Sequence, residues 1–103
     1  MNSTIVVTSA DSKFFELVQG TILSIREKPQ GYSVDIGFFD VGLTPEQLQW
    51  MSQYVDYIVE PIWNYEPPDS SNYPNYFKAL LSRPFLPEYF PGYEVYIWID
   101  ADA

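Results

Sequence analysis

Cysteine and histidine are both absent from this chain of 103 residues. Without cysteine there can be no disulfide and no thiolate metal site. Without histidine, Ser-His-Asp and Cys-His catalysis and imidazole-bound zinc are excluded from the chain's own residues. Basic residues are scarce: 5 Lys and Arg stand against 14 Asp and Glu, for a net charge of −9. No cluster of Lys and Arg occurs, which argues against binding nucleic acid through its phosphates or docking on an anionic membrane. An anionic ligand would need a metal ion, a helix N-terminus or a few well-placed cations. No apolar run reaches the roughly 18 residues that a membrane-spanning helix needs. The opening Met-Asn-Ser-Thr-Ile-Val-Val-Thr lacks a basic region and a long apolar segment, so no signal peptide is expected and the expected location is cytoplasmic. Neither Gly-x-Gly-x-x-Gly nor a phosphate-binding Gly-x-x-x-x-Gly-Lys loop is present.

What remains is apolar and aromatic. The hydrophobic share is 47% and the aromatic share 18%, too much for a disordered polar chain. The length suits one domain, residues 1–103, with a modest core. Thr4 to Thr8 reads as a short β-branched strand. Asp11 or Ser12 then offers an N-cap for an amphipathic helix, with Phe14, Phe15, Val18, Ile22 and Ile25 on one face. Gly20 inside that helix suggests close packing. Ser33 to Phe39 is a second strand. Thr44-Pro45-Glu46-Gln47 starts a second helix, with Thr44 as N-cap, Pro45 at the first position and Gln47 closing a capping box. Tyr57 to Val59 is a third strand.

Residues 61–75 carry four prolines among aromatic and polar residues and read as a loop. A short helix over Tyr76 to Leu81 and a compact approach over Phe85 to Gly92 lead to a last run, Tyr93 to Asp102. Its apolar residues predict a fourth strand buried on both faces. The β-α-β-α-β order predicts an α/β fold with a mostly parallel sheet of about four strands, Rossmann-like, with flanking helices.

Three places that follow strands could carry chemistry. In Thr8-Ser9-Ala10-Asp11, Asp11 is either a helix cap or an acceptor for a base edge beside a helix N-terminus. Asp40-Val41-Gly42-Leu43 reads as a turn before the second helix. Asp100-Ala101-Asp102 ends the last strand. Side chains two apart share a face, so Asp100 and Asp102 would repel one another unless solvent or a divalent cation separates the charges. Hard carboxylate oxygens suit Mg²⁺ or Mn²⁺, which also take oxygens from a substrate phosphate.

Three segments together resemble the nucleotide-sugar half of a GT-A-fold glycosyltransferase. They are Ile5-Val6-Val7-Thr8-Ser9-Ala10-Asp11, Phe39-Asp40-Val41-Gly42-Leu43-Thr44 and Tyr96-Ile97-Trp98-Ile99-Asp100-Ala101-Asp102-Ala103. The nearest branch is that of the glycogenin-like and lipopolysaccharide galactosyltransferase-like enzymes. The resemblance implies a donor-binding half that takes a nucleotide-sugar, UDP-linked by expectation. It places Thr8, Ser9 and Asp11 in the uridine pocket and Ala101 near the ribose. Asp100 and Asp102 would hold Mn²⁺ or Mg²⁺ against the diphosphate. Lys78 falls where such enzymes often place a basic residue facing the donor, or it is a solvated helix lysine. Arg83 could serve similarly or brace the turn beside it. Such enzymes continue beyond the Asp-x-Asp into an acceptor site, frequently with a histidine ligand. The chain is therefore expected to be an amino-terminal piece, inactive alone.

Two rivals are kept. One is a non-catalytic α/β interaction module that uses the loop aromatics Tyr57, Trp63, Tyr65, Tyr73, Tyr76 and Phe77. The other is an Asp-x-Asp-x-Thr phosphotransferase, weakened because no Thr follows and because that motif ends the first strand of its domain.

Overall fold

The computed structural model describes residues 3–28, 34–61 and 85–100. The predicted loop at 61–75 (beyond Pro61), the helix over 76–81 and the candidates Lys78, Arg83, Ala101 and Asp102 lie outside those residues. Strand β1 is Thr4–Ala10 and is followed by a 3-10 turn, Ser12–Phe14, and helix α1, Phe15–Glu27. Then come β2, Asp35–Asp40; α2, Pro45–Ser52; and β3, Tyr57–Val59. Helix α3, a single turn at Leu86–Tyr89, precedes β4, Val95–Trp98. The strands form one sheet in the order β3-β2-β1-β4, and every pairing is parallel. The α/β class expected from the alternating pattern is the class found.

The order of the strands explains which face each helix covers. From β1 the chain steps in one direction to β2 and β3, so right-handed crossovers put α1 and α2 on the same face. There Val18 and Ile22 of α1 and Met51 of α2 pack with Ile36, Phe38 and Ala10, and all six are buried. β4 instead lands on the far side of β1, and residues 86–93 just before it lie on the opposite face. On that face Leu86, Phe90 and Tyr93 pack with Ile5, Val7, Phe39 and Val41. Gly37 makes the second layer fit: a Cβ there would lie 2.8 Å from Cζ of Phe90 and 3.3 Å from Cδ1 of Ile5.

The start of α2 follows its sequence closely. The Thr44 side chain accepts from the Gln47 amide at 3.3 Å, and the Gln47 side chain accepts from the Thr44 amide at 2.9 Å. Two donors that the helix leaves without intrahelical partners are thereby satisfied.

Three expectations are corrected. β4 is not buried on both faces. It pairs with β1 alone among the described residues, and Val95 and Ile97 are 47% and 41% exposed. They point to the helical face, where the core made by α1 and α2 is centred on β1 and β2. Phe14 does not join the buried face of α1; it lies in the 3-10 turn, out of phase with the helix, and is 47% exposed. Gly20 is not a close-packing site, for a Cβ there would meet nothing within 4 Å.

Candidate functional site

In an open parallel sheet, ligands bind outside the carboxyl ends of the strands, where the direction of strand order reverses. Here that point lies between β1 and β4. β1 sends the chain away toward β2 on one side and receives β4 on the other. The ladder pairs Val7 with Trp98 and continues through the Ile99 amide, which donates to the Val7 carbonyl at 3.0 Å. Ser9 and Asp100 each lie two residues beyond that pair. Phe39 is the partner of Ser9 on β2.

Alternation along β1 decides which predicted residues can meet a ligand there. Ser9 shares a face with Ile5 and Val7, the face crossed by α3, and is half-buried. Thr8 faces the other way. It is fully buried beneath the helical layer, and its hydroxyl has no hydrogen-bond partner among the described residues. The resemblance assigns both to one uridine pocket, but β1 runs on to Ala10, and within a strand neighbours cannot share a face.

Asp11 caps the 3-10 turn: its Oδ1 accepts from the amides of Lys13 at 3.0 Å and Phe14 at 3.3 Å. The cap reading of Asp11 is therefore realised. The turn after β2 is built similarly, with Asp40 Oδ1 accepting from the amides of Gly42 and Leu43, each at 2.9 Å. Gly42 has φ +137°, a left-handed conformation that disfavours side chains, and its carbonyl accepts from the Ser12 amide at 3.1 Å. These bonds join the loops after β1 and β2 into one rim.

Asp100 is exposed at the end of β4. Its Oδ1 accepts from the indole Nε1 of Trp98 at 2.9 Å. Trp98 is half-buried, and its ring lies 6.1 Å from that of the buried Phe39. Phe39 in turn meets Tyr89 edge-on at 5.0 Å. The exposed carboxylate of Asp100 is thus attached to an aromatic cluster of Trp98, Phe39 and Tyr89. Among the described residues no group of three or more Asp or Glu side chains gathers to hold a metal ion. The donor offered, a carboxylate in a chain without Cys or His, fits a hard divalent cation that takes its other ligands from water and from a phosphate-bearing ligand.

The amino ends of the strands are organised differently. Arg26, in the last turn of α1, donates through Nε to the Tyr54 carbonyl at 3.0 Å and through Nη1 to the Val34 carbonyl at 3.1 Å. Its Nη2 pairs with Asp56 Oδ2 at 3.0 Å, and the same oxygen accepts from the Ile36 amide at 2.7 Å. Nearby the Tyr93 hydroxyl donates to Asp35, and the Tyr57 hydroxyl lies 3.5 Å away. Burial first, then the Asp35 carboxylate, holds the Tyr93 phenol well above its ordinary range. An open groove of about 430 Å³ lies here, lined in part by Arg26, Asp35, Gln53, Tyr54 and Asp56. The arginine that lines it is already engaged by the framework through all three guanidinium nitrogens.

Sequence patterns do not single out Arg26 or Tyr93. Their partners lie 8 to 58 residues away in the chain. The one available signal is a lone arginine in the last turn of an amphipathic helix. No helix among the described residues is long and apolar enough to cross a membrane. Compared with protein-family models, curated proteins and solved structures, the chain finds no match.

Proposed function

We propose that the carboxyl ends of β1 and β4 bind the nucleotide-diphosphate part of a sugar donor, and that the chain is the donor-binding part of a metal-dependent glycosyltransferase. One observation carries the reading: β4 returns beside β1 with Trp98 paired to Val7, so that Ser9 and Asp100 each lie two residues past that pair, at the reversal of strand order. The resemblance in sequence assigns donor and metal roles to these same two positions.

In this reading Ser9 and the backbone after it meet the nucleoside, and Asp100, with Asp102 following, faces the diphosphate. A bound Mn²⁺ or Mg²⁺ would neutralise charge developing on the diphosphate leaving group. With a net charge of −9, the chain repels an anionic donor at long range, which makes the cation a condition of binding. Asp11 contributes by fixing the loop after β1 through its two amide bonds.

Titration calorimetry of the chain with UDP, in the presence and absence of Mn²⁺, tests the proposal. Binding that requires Mn²⁺ is expected. Equal heats with and without the ion, or no binding in either case, would remove the glycosyltransferase reading.

A further inference from the structure

We infer that Trp98 is a positioning residue for Asp100, its indole N–H fixing the plane of the carboxylate that meets the cation; this rests on the donor-binding reading above. An exposed aspartate at the end of a strand ordinarily samples several rotamers, and a ligand must then order it at an entropic cost. Here that freedom is restricted in advance of any ligand. Trp98 and Asp100 are two residues apart, share a face, and are joined by the Nε1–Oδ1 hydrogen bond of 2.9 Å. The donor is itself held, because the half-buried indole packs on the core around the fully buried Phe39 at a ring distance of 6.1 Å. Tyr89 braces Phe39 from behind at 5.0 Å. The core of the α3 face thus sets the orientation of an exposed carboxylate two residues beyond the end of β4. Donors that orient a metal-binding carboxylate through its second oxygen act in this way in metal sites generally.

Replacing Trp98→Phe retains a ring against Phe39 and deletes only the N–H donor. The test follows Mn²⁺ binding to the whole chain in the presence of UDP, by calorimetry and by ¹H–¹⁵N spectra of the tryptophan indoles. In the wild type, substoichiometric Mn²⁺ should broaden the Trp98 indole signal, assigned by its loss in Trp98→Phe, before that of Trp50. Trp98→Phe should bind Mn²⁺ about tenfold more weakly, with its melting temperature close to that of the wild type. Asp100→Asn guards against a variant that fails to fold: it keeps Trp98 and should shift the apo indole proton upfield as the charged acceptor is lost. If the wild type binds Mn²⁺ with UDP and Trp98→Phe binds it equally well, the positioning role is wrong and the donor-binding reading stands. An indole proton indifferent to Asp100→Asn also overturns the positioning role. If the wild type binds no Mn²⁺ with UDP, the donor-binding reading fails and takes this inference with it.

Discussion

The two ends of the sheet hold similar side chains to opposite effect. At the amino end, Arg26 of α1 pairs with Asp56 and Tyr93 pairs with Asp35, and the first pair also bonds to the backbone of Val34, Ile36 and Tyr54. At the carboxyl end, Asp11 and Asp40 each bond to amides of their own loop, while Asp100 is exposed and accepts from the Trp98 indole two residues before it. Polar groups at the first end join distant segments of chain. Those at the second end shape local turns and leave an acid exposed. A charged residue in a groove is therefore a weak pointer to function until its partners are known, and the groove around Arg26 is better read as a brace.

The largest expected effect is at the brace. Arg26→Ala removes at least the three hydrogen bonds made among the described residues, one of them charge-assisted on both sides, and should cost about 2–3 kcal/mol in urea unfolding. Binding of UDP with Mn²⁺ by the folded fraction should be unchanged. A variant as stable as the wild type, or one that is stable but has lost ligand, would contradict the division between the two ends. Asp100→Asn is the complementary change. It should weaken Mn²⁺-dependent UDP binding by at least about tenfold, about 1.4 kcal/mol, and leave the urea midpoint in place.

Tyr93 tests the amino end through pH. Unfolded, its phenol ionises at the ordinary value of about 10, whereas the folded protein keeps the proton to higher pH because of burial and Asp35. Stability from the protonated phenol is thus fully present below about pH 10 and is lost as the pH climbs above it. The stability advantage of wild type over Tyr93→Phe should shrink in that window, by up to about 1.4 kcal/mol per pH unit. A pH-independent difference between the two proteins would show that the phenol is not held in its neutral form.

The amino-acid sequence carries part of this division, unevenly. The capping box at Thr44 and Gln47 is readable because it is a local device, complete within four residues. The parallel class is readable because strands alternating with helices leave few other ways to bury both. The side of β1 on which β4 settles is not, since it depends on which free edge the returning chain reaches. For the same reason the apolar run at Val95 to Ile99 looks like a doubly buried strand: composition does not record whether a second neighbour exists. Phe14 falls on the wrong face because periodicity assumes an unbroken helix, and the 3-10 turn capped by Asp11 interrupts the phase. The brace of Arg26 and Asp56 joins residues 30 apart, and no spacing rule reaches that far. At the site, Ser9 and Asp100 can be named from the sequence, but that β1 and β4 are neighbours follows only from the sheet order.

Thr8 gives the smallest effect and the finest distinction. It belongs to the same strand as Ser9, yet its side chain enters the helical layer, fully buried, with a hydroxyl that finds no partner among the described residues. A buried hydroxyl without a partner retains its desolvation cost, so exchange for a methyl group of nearly the same volume removes a penalty rather than a contact. Thr8→Val should therefore raise the unfolding free energy by about 1 kcal/mol, and the β-branched replacement suits the strand equally well. If the ligand meets the Ser9 face alone, UDP binding with Mn²⁺ should match that of the wild type. Loss of binding in a stabilised Thr8→Val would mean that the hydroxyl meets the ligand, and that the helical layer opens over it when the nucleotide arrives.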